Sequence, residues 1–277
     1  MKKLLLILLC LPMIGFGQQT YVPDDNFEAI LEANGMGNGI SNDDYVTTAN
    51  ISSVIELDIS DDDISDLTGI EDFISLVELY CENNLITNIN LSANLSLKFL
   101  ECSSNQISTL DISSNINLEE LVCTFNLLSS LDLSNNLTLV YLECSNNQIN
   151  CLDFSLNTVL EELKCDNNLL DQLNTKNGNW VNGVDITAHT NNLTCVEVDN
   201  MGYATTNWVS SFDSFVTFNT NCNYTNPCTT TSSIQEQTTN KELFKITDLL
   251  GRETKQTNQP LFYIYYDGTV EKRIVIE

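Results

Sequence analysis

Five cysteines recur at one interval: Cys81, Cys102, Cys123, Cys144 and Cys165, each 21 residues after the last. Thiols invite metal or redox chemistry, but that chemistry needs paired or tetrahedral sulfurs, as in C-x-x-C spacings. One sulfur per lap gives a line of single thiols instead. The spacing therefore predicts a core column in which a small apolar side chain packs on its own copy above and below. Asn84, Asn105, Asn126, Asn147 and Asn168 keep the same interval. A buried amide at a bend can hold inward-turned backbone groups, so this column is expected to be structural too. Carboxylates are plentiful, and glycan hydrolysis needs only two. They are too numerous and too evenly spaced to nominate a pair. The one histidine, His189, has no evident partner for a Ser-His-Asp triad or a zinc site. Asp58, Asp61, Asp62, Asp63 and Asp66 cluster, with Asp43 and Asp44 upstream, but their order does not fit an EF-hand loop. A solvated edge that discourages end-to-end stacking is the expectation there. No catalytic residue, metal ligand or cofactor is nominated.

The elements that position these columns follow from self-alignment. Units begin at Leu76, Leu97, Leu118, Leu139 and Leu160 and share L-x-x-L-x-C-x-x-N-x-[IL]. A weaker unit opens at Val54, with Asp62 in the asparagine column, and a degenerate one carries Ile186, Ala188, Asn191 and Leu193. About seven laps result. The second halves (INLSANL, LDISSNI, LDLSNNL, LDFSLNT) add another column: Asn94, Asn115, Asn136 and Asn157. Alternation around Leu79 and Cys81 is the two-residue period of a strand. Such a short strand is stable only when laps stack, pairing strands in parallel about 4.8 Å apart over a continuous core. The return is too short for a full helix and is expected as a second extended or turn-like segment. The fold class is thus a leucine-rich-repeat solenoid over 54–198, a curved parallel β-sheet with little helix.

An open stack needs covered ends. Residues 18–53 are expected to form the first cap, with a helix presenting Phe27, Ile30 and Leu31 and ending at Gly35, Gly37 and Gly39. Residues 199–222 are expected to form the second, through Tyr203, Trp208, Phe212, Phe215, Val216 and Phe218. Cys195 and Cys222 bracket it, and a disulfide between them would pin it. Cys151 is expected as a core thiol, which leaves Cys228 free or as an alternative partner. Residues 223–240 have a linker's composition. Residues 241–277 hold short expected strands at Leu243–Ile246, Leu261–Tyr266 and Arg273–Ile276, a small all-β region.

Residues 1–17 have the layout of a secretory signal peptide: Lys2 and Lys3, the apolar run Leu4–Leu11, then Gly15-Phe16-Gly17. Cys10 lies inside the apolar run and is a poor lipidation site. The run is too short to span a bilayer, and no transmembrane segment is expected in the mature protein. The chain carries 11 basic and 38 acidic residues, net −27, so loss of Lys2 and Lys3 takes the charge to −29. Such a field excludes nucleic acid and anionic lipid as partners.

The repeats resemble the short leucine-rich repeats of secreted Bacteroidetes proteins. VPDDNFE at 22–28 resembles the N-terminal cap of that group, LTGIEDF at 67–73 its first repeat, and CVEVDN at 195–200, with Asn207-Trp208 and Cys222, its C-terminal cap. DLLGRE at 248–253 with YYDGTVEKRIVIE at 265–277 is similar to the C-terminal sorting domain of the type IX secretion system. The resemblance implies export through that machinery, and a protein secreted or attached to the outer cell surface. It implies no particular ligand.

The expected function is non-catalytic binding or adhesion, recognising an extracellular protein or glycan through outward side chains of the sheet: Glu78, Tyr80, Glu82, Phe99, Glu101, Glu120, Val122, Tyr141, Glu143, Glu162 and Lys164. Aromatics there could stack on a sugar or pack on a peptide, and acids could receive a basic partner. A structural spacer and a carboxylate-dependent glycan-acting enzyme are the other readings.

Overall fold

The computed structural model describes residues 18–179, 184–224, 228, 243–247, 260–265 and 270–274. The expected signal peptide with Cys10, most of the expected linker, and the segments 248–259 and 266–269 lie outside the described residues. The chain divides into two units, Met1–Thr229 and Thr230–Glu277.

In the first unit β1 (Gln19–Tyr21), α1 (Asp25–Ala33), β2 (Tyr45–Thr47) and α2 (Thr48–Ile51) precede the laps. One three-residue strand per lap follows: β3 (Glu56–Asp58), β4 (Glu78–Tyr80), β5 (Phe99–Glu101), β6 (Glu120–Val122) and β7 (Tyr141–Glu143). Next come β8 (Cys151–Asp153), β9 (Glu162–Lys164), β10 (Gln172–Asn174), β11 (Asp185–Thr187), β12 (Cys195–Glu197), α3 (Met201–Asn207) and β13 (Thr217–Asn219). Strands β3, β4, β5, β6, β7, β9 and β11 form one parallel sheet, in that order. Strands β8, β10, β12 and β13 form a second. The unit is a largely parallel, multi-sheet β-solenoid with little helix and capped ends. The return halves expected as extended become a hydrogen-bonded sheet only from β8 onward.

The core follows from register. Leu57, Leu79, Leu100, Leu121, Leu142, Leu163 and Ile186 lie side by side across successive strands. All are buried, as are the five periodic cysteines. Return-half residues such as Leu91, Ile112, Leu133 and Phe154 close the core from the other side.

The bends are held by asparagine side chains. Asn126 Oδ1 accepts the Ile107 N–H of the preceding lap at 2.9 Å, while its Nδ2 donates to the Cys102 carbonyl at 2.9 Å and to Cys123 and Thr124 at 3.3 Å. Asn84, Asn105, Asn147, Asn168 and Asn191 repeat this bonding, each accepting from an Ile or Leu N–H and donating to the carbonyl of the cysteine-column residue one lap back, which is Ile59 for Asn84. The second column acts as donor: Asn115 Nδ2 bonds Leu91 and Asn94 carbonyls, and Asn136 those of Ile112 and Asn115. At Asp62, where the first column has no amide, the peptide N–H bonds Asn84 Oδ1 of the next lap.

The residue before each first-column asparagine takes a left-handed conformation: Asn83 (φ 54°), Ser104 (54°), Phe125 (52°), Asn146 (57°), Asn167 (54°) and Thr190 (58°). Asparagine suits that region, because its side chain bonds locally. Phenylalanine does not, and a left-handed non-glycine residue costs about 1–2 kcal/mol.

The first cap differs from expectation at one face. Phe27 and Leu31 are buried, but Glu28 is fully buried while Ile30 is only partly so. The Glu28 carboxylate accepts the N–H groups of Asp43 (3.2 Å) and Asp44 (3.0 Å), so it pins the loop across the helix. Asp24 caps α1 through Asn26 and Phe27, and also accepts from Ser65 and Asp66. That joins the cap to the first lap. Gly69, in LTGI, has φ 105°, and a Cβ there would stand 2.8 Å from the Tyr21 carbonyl oxygen.

At the far end the stack does not stop at Val198. Strand β13 adds a parallel rung to β12, pairing Cys195 with Thr217 and Glu197 with Asn219. Trp208 and Phe212 are buried, and Trp208 Nε1 donates to Val184 O at 3.0 Å. Phe215, expected in the closing cluster, is 61% exposed, because β13 turns Phe218 inward instead to meet Phe212 edge-on. Cys195 and Cys222 form a disulfide (Cα–Cα 5.9 Å). Cys151 is not a core thiol: it lies at the first position of β8, partly exposed, and bonds to Cys228 (Cα–Cα 5.6 Å).

In the second unit β14 (Leu243–Thr247), β15 (Pro260–Tyr265) and β16 (Val270–Ile274) form an antiparallel sheet with β15 central. The last strand begins at Val270 rather than Arg273, because pairing with the length of β15 runs from Ile264↔Val270 to Pro260↔Ile274.

Replacing Asn126 with Ala orphans a buried N–H and the carbonyls it holds. The expected cost is about 1–3 kcal/mol, read as a lowered denaturant midpoint with little change in slope.

Candidate functional site

The outward side chains form registered columns. The first runs Glu56, Glu78, Phe99, Glu120, Tyr141, Glu162, Asp185. The second runs Asp58, Tyr80, Glu101, Val122, Glu143, Lys164, Thr187. From β4 to β9 the two make a checkerboard. Glu78, Glu120 and Glu162 alternate with Phe99 and Tyr141 in one column, while Glu101 and Glu143 take the intervening strands of the other. No two of these acids are direct neighbours along or across strands. Like charges directly opposite are unfavourable, so the lattice carries many acids at reduced mutual cost.

The uncharged squares are not passive. The Tyr80 and Phe99 rings meet at 4.8 Å between centroids. Tyr80 Oη donates to Glu78 at 3.0 Å, and Tyr141 Oη to Glu143. Lys164 Nζ lies 2.8 Å from Glu162, 3.7 Å from Glu143 and 3.0 Å from Tyr141 Oη, with the Tyr141 ring centroid at 5.2 Å. Hydrogen bonds to Glu162 and Tyr141 hold the lysine protonated well above its usual range. Burial, then the bonds to Glu78 and Glu143, raise both tyrosines. Of the eleven outward residues expected from the sequence, Glu120 is exposed and the other ten are partly exposed.

The nominated row was narrower than the face. Glu56 and Asp58 at one end, and Asp185 and Thr187 at the other, stand in the same columns. VIELDISDDDI already carried the first two at matching positions. The position after each cysteine is partly exposed at Glu82 and Asp166 and buried at Ser103, Thr124 and Ser145. Phe125, 61% exposed at the sheet's downstream edge, and Leu127, 46% exposed, were not nominated. The signal for Phe125 is its place in a column whose other members are small and polar: Asp61, Asn83, Ser104, Asn146, Asn167 and Thr190.

The thiols are removed from chemistry. Burial pushes all five upward, Cys144 to about 12. A protonated, enclosed thiol is a poor nucleophile and ligand. Among the described residues no group of three or more His, Cys, Asp or Glu could hold a metal ion, and no helix is long and apolar enough to cross a membrane. His189 does have a neighbour: Asp213 Oδ1 is 4.0 Å from its Nδ1. At the far end a cavity of about 180 Å³ is lined by Asp153, Asn174, Glu197, Asn221, Asn223 and Tyr224, smaller than usual small-molecule sites.

No protein-family model and no curated protein matches the chain. Among solved structures it is similar to the functional domain of InlJ from Listeria monocytogenes, which includes a cysteine ladder: 25% identity, covering 66% of this chain and 52% of that one, TM-score 0.38. It therefore spans about half the length of that domain. It is also similar to internalin C2 from the same organism (21% identity, 73% of this chain and 99% of that one, TM-score 0.47). A third is the Listeria internalin inlF (20% identity, 72% and 68%, TM-score 0.48).

Burial raises the Glu101 pKa above its ordinary 4.5, with Glu82 and Glu143 adding to the rise and hydrogen bonds from Ser103 opposing it. The native state therefore holds this proton more tightly than the unfolded chain does. The contribution favours folding below about pH 4.5 and is lost as pH rises through the raised value. Glu101→Gln is expected to raise the melting temperature at pH 7 and to leave it unchanged at pH 3. Thermal melts at the two pH values check this.

Proposed function

We propose that this protein is a secreted or surface-attached leucine-rich-repeat module with no catalysis of its own, which binds an extracellular protein or glycan through the outward face of its long sheet. The checkerboard supports this reading most. A spacer needs only a solvated face, and alternating charge would serve it. It has no use for two aromatic rings in contact beside a third ring braced by a lysine. Each of those rings gives up solvation to stand on an open surface, and each offers the amphipathic area that interfaces use. The enzyme reading lacks support: the acids are spaced to avoid one another rather than paired around a cleft.

Tyr80→Ala, Phe99→Ala and Tyr141→Ala together test the reading. The expected outcome is loss of binding on a glycan and extracellular-protein array, and of cell adhesion, with the thermal transition kept cooperative. Unchanged adhesion would favour the spacer.

The route outward follows from the leader-like residues 1–17 and the tail at 241–277, which resembles a type IX sorting domain. Deleting 241–277 is expected to leave the protein inside the cell envelope. Undiminished release into the medium would contradict that assignment.

A further inference from the structure

Phe125 is the one residue of this surface that local physics opposes twice. It holds a left-handed conformation (φ 52°), where flanking laps place Ser104 and Asn146. It also exposes 61% of its surface, with Leu127 beside it at 46%. Its N–H bonds Ser145 O at 3.1 Å, so the ring is carried by the fixed ladder rather than by a loose loop. Asn at this position would keep that backbone bond and suit the conformation better. Among the described residues nothing accounts for the ring. Observed strain of this kind points to a use outside the fold.

Next to it the checkerboard is almost purely acidic in its charge. Lys164 is the only lysine or arginine in the two registered columns, and Glu162 and Glu143 already hold it. Its acids stand on alternate squares, with rings or Val122 between. We infer that the partner is a polypeptide segment whose sheet-facing side chains, every second residue of an extended chain, are basic and apolar in turn, and that Phe125 with Leu127 is the apolar anchor at the downstream edge of its track. This rests on the reading of the sheet face as a binding surface and goes further by naming the partner's chemistry. Lysines or arginines of the segment meet Glu101 and Glu143. Its apolar side chains meet Tyr80, Phe99 and Val122, and one reaches past Thr124 to the Phe125 ring. Charge complementarity selects a basic partner over a neutral sugar, and the anchor selects one carrying apolar groups over a plain polycation.

Two synthetic peptides of equal length serve as probes: a lysine–leucine peptide repeating Lys-Ser-Leu-Ser, which puts both groups on one face of an extended chain, and a lysine–serine peptide repeating Lys-Ser-Ser-Ser. Each is titrated by calorimetry against the full wild-type chain, Phe125→Asn, and the Tyr80, Phe99, Tyr141 alanine variant. The lysine–leucine peptide is expected to bind wild type more tightly than the lysine–serine peptide. Phe125→Asn is expected to weaken the lysine–leucine peptide about tenfold and to leave the lysine–serine peptide unchanged. The same variant is expected to melt a few °C higher than wild type. Equal binding of the lysine–leucine peptide by wild type and Phe125→Asn, with loss in the alanine variant, would overturn the anchor and leave the face. Failure of both peptides on wild type would overturn the face and the inference together. A lower melting temperature for Phe125→Asn would make the ring structural and overturn the anchor.

Discussion

A solenoid with laps this short must bend its backbone sharply beside every strand, and each bend turns peptide groups into an interior without water. The first asparagine column meets that constraint. One side chain takes an N–H from the lap behind, gives its amide hydrogens to the carbonyl of the cysteine-column residue one lap back, and braces its own bend. Neither Asp nor Leu can do both, because the site needs a donor and an acceptor in one planar group. Everything else depends on this. The strands pair in register because the bends are fixed, and the leucines and cysteines stack because the strands are paired.

The same constraint shapes the outer surface. A face built on a fixed ladder presents its side chains on a lattice about 4.8 Å apart between strands, and cannot relax by sliding. In a chain of net charge −27 such a lattice is hazardous if acids fall in line. Alternating Glu with Phe, Tyr and Val between β4 and β9 lowers that repulsion, and it also makes a pattern a partner can read. Glu56 and Glu78, adjacent in the first column, mark where the pattern ends. The caps are tied in by polar groups as much as by apolar ones: Asp24 to Ser65 at one end, Trp208 to Val184 at the other.

Much of this was legible in the chain because a 21-residue period, read against itself, reports which positions share an environment. The thiol column, the amide columns and the inward leucines follow from periodicity and the size of the side chains. What stayed hidden depends on partners far away in sequence. Glu28 is a surface residue by helical pattern and is buried because a later loop donates to it. Cys151 sits in a column that has a cysteine two laps on, so it looked like core. Its partner Cys228 lies beyond the last lap, where no repeat reports position. The outward residues were named on five laps, since the flanking units are degenerate, although Glu56 and Asp58 stood in the right places. Phe125 is hard to see in the sequence because its column records a backbone conformation rather than a contact.

Thiol accessibility, mapped by alkylation and mass spectrometry without prior reduction, tests most directly that residues one lap apart lie over one another inside the coil. Cys81, Cys102, Cys123, Cys144 and Cys165 should stay unlabelled in the native protein and become labelled together, at one denaturant concentration, as the stack opens. Rapid labelling of any one of them in native buffer, or labelling in separate steps, would contradict a single continuous ladder.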